Sequence, residues 1–549
     1  MKYALAFAAL VAAAPALAAP PGQAVFSDIR YESQSRIDGK AFEPSKSYEN
    51  PILAGYYPDP SIERVGNDYY MVNSTFAYYP GIPVWHSTDL VNWTQIGNAI
   101  DRPGQLDFSG LATSRGVFAP AISHHDGTFY IVNTCVDCKG QFVITAKDPK
   151  GPWSDPVWLP FGGIDPSIFW DDDGKAYVVW NDAPEGETLY EGHRAIWMQE
   201  FDAKALTTKG PKKQVINGGV DISKKPVWIE GPHVYKVDGR YYLMAAEGGT
   251  SVNHSQVILS SKSVWGPYEP WRGNPILTQR DLDPNRPAPI TSAGHADLVQ
   301  TPAGDWYSVF LATQPYEGDL YNTGRETFLL PVKWVQDGGT KWPVILDHGK
   351  AIPTVVDLPK GAAKGHRNSV ATTGYNPLTW LQVRSPKTPF LSQGNGGKTV
   401  TLKALPEAFG DVKSAPAFTG QRQQHMNAEF SAKVDFKPVK DGDRAGILAL
   451  QNDDYYLFFG VTKRGGKEVL EVTRRAGSAD PRDGVVVASV PSPGNAINLT
   501  VKFTGGKASF GYGKDRTLVV VADTTHLSTN RAGGFVGTVI GLYAYSQNP

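Results

Sequence analysis

Three carboxylates recur at equivalent places in this chain. Asp59 heads Asp59-Pro60-Ser61-Ile62, Asp165 heads Asp165-Pro166-Ser167-Ile168, and Glu230 heads Glu230-Gly231-Pro232-His233-Val234. Two further stretches share the layout, Ala119-Pro120-Ala121-Ile122 and His295-Ala296-Asp297-Leu298. Carboxylates gathered in a pocket do one of two kinds of chemistry. One can take a proton from water while another, kept protonated, gives a proton to a leaving oxygen. Alternatively, their oxygens together hold a hard cation such as Ca2+. Packing alone gives a repeat no reason to set charged groups where side chains converge.

The elements around them form a repeat. In each unit the apolar strand after the head residue runs into a Gly/Asp-rich turn and a second, aromatic-rich strand. From head residue to the tyrosine of the second strand the offsets are 11, 11, 12, 12 and 12, ending at Tyr70, Tyr130, Tyr177, Tyr242 and Tyr307. Hairpins recurring at such intervals predict a β-propeller, because one blade cannot bury both of its faces and must stack on its neighbours. Five units predict five blades. The first strand of each should lie innermost, so that Asp59, Ala119, Asp165, Glu230 and His295 ring one axial pocket. On this reading Asp59 and Glu230 stand across the channel. A separation of about 6.5–9.5 Å between them would leave room for a water and predict an inverting hydrolysis of a glycosidic bond. Asp165 would sit beside Glu230 and, through its charge, keep that group protonated.

Other chemistries lack their motifs. There is no Gly-x-Ser-x-Gly elbow, no His-Glu-x-x-His and no phosphate-cradling glycine loop. Lys and Arg number 53 against 54 Asp and Glu, with no basic run, which leaves no electrostatic footprint for nucleic acid or an anionic membrane. Asp171-Asp172-Asp173-Gly174 lacks EF-hand spacing and reads as a turn tip. Glu247 is a second acid in the fourth unit, one strand further on, and reads as a pocket-wall hydrogen-bonding group. His124 and His125 read as turn residues.

Met1 to Ala18, with an apolar run and an Ala-Leu-Ala site, reads as a secretory signal peptide. Export is consistent with Asn-x-Ser/Thr acceptors at Asn73, Asn92, Asn253 and Asn498, of which Asn73 falls within a strand. The only cysteines, Cys135 and Cys138, offer too few ligands for zinc and are expected as a local disulfide. Residues 19–48 read as an N-terminal arm on the propeller, 49–350 as the propeller and 351–378 as a connector. Residues 379–549 alternate in period two with turn signals and read as a concanavalin-like β-sandwich that braces the propeller. Within it, Gln423-Gln424-His425 is the stretch expected to reach the pocket. The fold expected is thus all-β.

Several motifs together resemble glycoside hydrolase family 43: Asn50-Pro51-Ile52 with Tyr57-Pro58-Asp59-Pro60-Ser61, Gly116-Val117-Phe118-Ala119-Pro120, Ile164-Asp165-Pro166-Ser167, Glu230-Gly231-Pro232-His233, Gly294-His295 and Gly324-Arg325-Glu326-Thr327. The resemblance implies a five-bladed propeller with Asp59 as general base, Asp165 as pKa modulator and Glu230 as general acid. It also implies that Phe118 bounds the sugar and that His295 holds an axial water network or ion, with structural Ca2+ the candidate. Arg325 would donate to sugar hydroxyls and lie near the acid-side carboxylates. No cofactor is required on this reading. The wording around Gly294–Leu298 and Tyr321–Leu330 resembles the branch acting on decorated xylan. The expected function is therefore secreted, inverting release of α-L-arabinofuranosyl side chains from arabinoxylan. The alternatives are an exo-acting β-1,4-xylosidase on xylo-oligosaccharides and a non-catalytic carbohydrate-binding propeller.

Overall fold

The computed structural model describes residues 20, 22–35, 42–365 and 368–547. The signal-peptide reading of residues 1–18 falls outside them. Five antiparallel sheets follow one another along the chain, each opened by one of the repeated hairpins. Their inner strands are Ser61–Val65, Ala121–His125, Ile164–Trp170, Glu230–Val237 and Thr291–Gln300. Their hairpin partners are Asp68–Val72, Thr128–Val136, Ala176–Asp182, Arg240–Glu247 and Trp306–Thr313. At Asp126-Gly127 and Asp238-Gly239 both residues have positive φ, the backbone that matches the twist of a tight hairpin and that Asp and Gly tolerate.

Hydrogen bonds join each inner strand to the next, all the way round. The Ile122 amide donates to Ser61 Oγ, and Trp170 Nε1 donates to Ser123 Oγ. The Ser167 hydroxyl donates to Pro232 O, and the Tyr235 hydroxyl to Asp297 Oδ1 at 2.6 Å. Ser61 Oγ, donating to Asp297 Oδ2 at 2.8 Å, links the fifth blade back to the first. Aliphatic and aromatic side chains of neighbouring blades fill the space between the sheets, as in the cluster of Met71, Trp85, Met244, Ile258, Val309 and Phe328. The propeller is therefore held by apolar burial between blades and by polar bonds along its axis.

The C-terminal part is a sandwich of an eight-stranded and a six-stranded antiparallel sheet. One expectation fails here. Of the stretch expected as an N-terminal arm, residues 19–48, Tyr48 at its end does pack in the propeller core. Gln23–Gln34 is not part of an arm on the propeller, because it is a strand of the larger sandwich sheet, paired with Asn427–Asp435 on one side and Thr399–Lys403 on the other. Its alternating side chains Ala24, Phe26, Tyr31 and Ser33 are buried, which is what a strand with one core-facing side requires. The stretch expected as a connector is also paired: Val355–Asp357 with Ser47–Glu49, and Val370–Thr373 with the same N-terminal strand.

Two buried arginines fasten the sandwich to the propeller. Arg422 donates to Tyr56 O and lies over the rings of Tyr56 and Tyr57. Arg384, 1% exposed, donates to Leu111 O, Ser414 O and Asp453 Oδ2, the last at 2.6 Å. A buried guanidinium whose donors are met in this way fixes the docking angle, whereas removing one partner would strand a charge. Cys135 and Cys138 form a disulfide. Among the described residues no helix is long and apolar enough to cross a membrane.

Candidate active site

The five head residues, Asp59, Ala119, Asp165, Glu230 and His295, all line one cavity of about 540 Å³, and Phe118 and Arg325 line it with them. A backbone device aims them. Asp59, Asp165 and His295 have φ of 54°, 55° and 50°, and in the fourth blade the left-handed residue is Gly231, at 57°. The ladder register shifts at these places in the third, fourth and fifth blades. A bulge at the head of a strand breaks the in–out alternation and re-aims a side chain, here into the cavity. Left-handed backbone costs a non-glycine residue about 1–2 kcal/mol, and such strain persists where the surrounding structure holds it.

Gly231 has a second constraint. A Cβ there would lie 2.9 Å from Cε1 and Nε2 of His295. Gly294 stands in the same relation to His254, with a Cβ position 2.7 Å from that ring. Gly231→Ala is expected to push the His295 ring off its seat, so that kcat/KM falls while circular dichroism still reports an all-β fold. Unchanged kinetics in a folded variant would show that the His295 position is of no consequence.

The electrostatics divide the carboxylates into two kinds. Asp59 is buried, which alone would raise its pKa, but Arg325 and His295 and the Ser74 hydroxyl outweigh burial and hold it below the ordinary carboxylate value. Arg325 Nη1 donates to Asp59 Oδ1 at 3.0 Å, His295 Nδ1 lies 3.7 Å from the same oxygen, and Ser74 Oγ donates to Oδ2. Asp165 and Glu230 go the other way. Burial, then each one's carboxylate neighbours, push both well up, against weaker opposition from Arg325. One donor atom each of Asp165, Glu230 and His295 lie within 4.8 Å of one another. At neutral pH the site therefore combines an ionised Asp59, a proton acceptor, with Glu230 and Asp165 both favouring the protonated form. His254 and His295 are both lowered to about 4 by burial, so at neutral pH they are uncharged and Arg325 is the cation that supports Asp59, while His295 adds its charge only at acid pH.

Activity that needs both states must fall on either side of a plateau. It is lost as pH drops through the Asp59 value and lost again as pH rises through the Glu230 value. Arg325→Met is expected to move the acid limb of the kcat/KM profile upward, because the chief stabiliser of the Asp59 carboxylate is gone. An unmoved acid limb would detach that limb from Asp59.

Arg325 acts on Asp165 and Glu230, as expected, and in addition pairs with Asp59, because its backbone carbonyl accepts from Tyr57, close to Asp59 in the chain. Gln423-Gln424-His425 does not line the cavity. The His425 ring hydrogen-bonds Ser33 in the sandwich, and Gln423 and Gln424 pack on Gly55. The sandwich reaches the cavity instead through Phe535, whose ring meets Phe76 and Phe118 at 5.9 and 5.7 Å and lies beneath Arg325. The Phe535 amide donates to Ser114 Oγ, which pins that loop to the propeller. Asn73 is wholly buried and donates to Tyr57 O, Pro58 O and Thr327 Oγ1, so it is a structural amide and no glycan acceptor. Sequence reasoning did not find Ser74, Phe76, Arg115, Arg194, Trp228 or Phe535. Ser74 follows the second strand of blade one and so faces Asp59 across the hairpin, which is the one signal that could have marked it.

Calcium at His295 was the cofactor candidate. The cluster Asp165, Glu230 and His295 offers three donors, one of them an imidazole nitrogen, where Ca2+ takes six to eight oxygens. Both carboxyls also favour the protonated form, which does not bind a cation. The donor set fits that ion poorly, and no chemical step is routed through it.

Comparison with known proteins gives a consistent picture. A family model described as glycosyl hydrolases family 43 matches residues 48–340, and one described as the β-xylosidase C-terminal concanavalin A-like domain matches residues 373–549. A xylosidase/arabinosidase of Butyrivibrio fibrisolvens is 38% identical over 91% of this chain and 96% of its own. A non-reducing end α-L-arabinofuranosidase of Bacteroides ovatus is 36% identical over 91% of both chains. The crystal structure of a subfamily 12 member of the same glycosidase family, retrieved from the capybara gut metagenome, superposes with a TM-score of 0.86 at 38% identity, covering 96% of this chain and all of that one.

Proposed function

The chain belongs to glycosyl hydrolase family 43, and from that premise we propose that it is an exported, inverting α-L-arabinofuranosidase that trims arabinoxylan. The observation that carries the mechanism is the split between Asp59, held ionised, and Glu230, held protonated, in one buried cavity. Asp59 takes a proton from a water as its oxygen bonds the anomeric carbon. Glu230 gives its proton to the glycosidic oxygen as the carbon–oxygen bond breaks. Asp165 and Glu230, buried close together, cannot both ionise without repulsion, which favours keeping the proton on Glu230 until transfer. Arg325 both stabilises the Asp59 carboxylate and presents N–H groups to the cavity. Phe118, Phe76 and Phe535 exclude water on one side and offer ring faces to a sugar.

The arabinose reading is supported by the relatives named as arabinosidase or arabinofuranosidase over nine-tenths of this chain. β-Xylosidase is the second reading, favoured by the sandwich, which matches a domain described from β-xylosidases, and by the Butyrivibrio fibrisolvens relative, which is named xylosidase as well as arabinosidase. Export is supported by the apolar leader and by the Cys135–Cys138 disulfide, which persists in oxidising compartments. The test is digestion of arabinoxylan beside linear xylo-oligosaccharides. Arabinose from the polymer with the linear oligomers untouched supports the first reading. Xylose from the oligomers with little arabinose supports the second.

A further inference from the structure

Three arginines line the cavity, and they are not equivalent. Arg325 is paired with Asp59 at 3.0 Å. Arg115 is paired with Asp137, its Nε on Oδ2 at 2.6 Å and its Nη2 on Oδ1 at 3.0 Å. Arg194, half-buried, has no ion-pair partner among the described residues, and its guanidinium lies 4.1 Å over the centre of the Trp228 ring. A cation stacked on an indole face keeps its N–H fork in the ring plane direction, free for a planar bidentate acceptor.

The placement of Trp228 says which end of the substrate Arg194 meets. Trp228 has φ of 59°, a left-handed backbone that is an outlier for so bulky a residue. It is held there by its amide, which donates to Gly192 O at 2.8 Å, while the Gly218 amide donates to Arg194 O and the Gly248 amide to Val227 O. Trp228 stands two residues before Glu230, the proton donor, and both line the same cavity. Whatever Glu230 protonates is the leaving oxygen, so Arg194 and Trp228 border the leaving-group side of the cavity. Strain held at such a point marks a functional geometry.

Sugar hydroxyls are met as well by neutral donors, whereas a guanidinium with no ion-pair partner among the described residues is matched best by a ligand that brings a carboxylate. We propose that Arg194, stacked on Trp228, forms a leaving-group subsite for a carboxylate-bearing aglycone, namely a xylosyl unit substituted with a uronic acid. The proposal rests on the glycosidase reading and does not depend on whether arabinose or xylose is released. A uronate bound there adds a negative charge beside Glu230, partly neutralised by Arg194, and so helps the acid keep its proton until transfer.

The test uses the full chain and pairs of oligosaccharides that differ only in a glucuronosyl group on the xylose next to the hydrolysed bond. One pair carries a terminal arabinofuranosyl group and the other a terminal xylosyl group. The readout is the acidic-to-neutral ratio of kcat/KM within whichever pair is cleaved. The wild type is expected to favour the acidic member about tenfold at low salt, with the ratio shrinking as ionic strength rises. Arg194→Gln is expected to bring the ratio to one, and Arg194→Lys, which keeps the charge, to restore part of it. A wild-type ratio of one or below overturns the proposal, as does a ratio that survives in Arg194→Gln. Should Arg194→Gln fail to fold, the wild-type ratio and its salt dependence still decide the matter. Release of xylose only would overturn the arabinose reading and leave this one standing.

Discussion

Glu230→Gln is expected to lower kcat on a xylosyl leaving group by about 10²–10⁴-fold, the range that a positioned proton donor supplies. The loss should depend on the leaving group. An aryl glycoside whose phenol departs as a stable anion has little need of the proton, so kcat on it should fall far less. The same substitution is expected to stabilise the fold. The Glu230 pKa in the folded chain is raised, chiefly by burial and then by Asp165 and Asp59. Between the ordinary carboxylate value and that raised value, the unfolded chain releases a proton that the folded chain keeps, so wild-type stability falls as pH climbs through this window. Glutamine does not titrate. Glu230→Gln should therefore match the wild type in Tm below pH of about 4 and exceed it by a growing margin at neutral and alkaline pH. A Tm difference that does not change with pH would contradict the assignment of a buried, protonated acid.

Asp59→Asn should be as damaging to kcat, with two opposite signatures. Loss of the proton acceptor acts on the water and not on the leaving group, so natural and aryl substrates should suffer alike. Its stability effect also has the other sign. The Asp59 carboxylate is the ion-pair partner of Arg325, and both side chains are almost fully buried, at 6% and 7% exposure. Removing one member of a buried pair leaves the other charge uncompensated, at about 3–5 kcal/mol. Asp59→Asn is accordingly expected to lower Tm at pH 7, measured by calorimetry, where Glu230→Gln raises it. Two carboxyl-to-amide changes in one cavity thus separate by the sign of their effect on stability.

The repeat made most of this site legible. Each head residue precedes a hairpin whose apolar strand and Gly/Asp-rich turn are local signals, and stacking of similar units then places all five heads about one axis. Asp59, Asp165, Glu230, His295, Phe118 and Arg325 line the same cavity for that reason. What was not legible depends on pairing between distant segments. Gln23–Gln34 alternates as a strand should, but its neighbours lie some 400 positions on, and nothing in its own sequence states which sheet it joins. Phe535 enters the cavity because the sandwich docks through Arg384 and Arg422, a contact between two finished surfaces. Asn73-Ser74-Thr75 misleads in a different way. It has the form of a glycan acceptor, yet Asn73 ties together the backbone around Asp59 and Ser74 donates to its carboxylate. The place of Arg325 near the acid-side carboxylates was legible, but its ion pair with Asp59 was not, since which acid an arginine pairs with depends on a few ångströms of backbone placement.

The most direct test of the acid–base account is the anomeric configuration of the first sugar released, followed by proton NMR in the opening minutes before mutarotation. An ionised base and a protonated acid acting in one displacement require inversion, so α-linked arabinofuranosyl substrate should yield the β-anomer first. First appearance of the α-anomer would mean a covalent intermediate, and would contradict the roles given to Asp59 and Glu230.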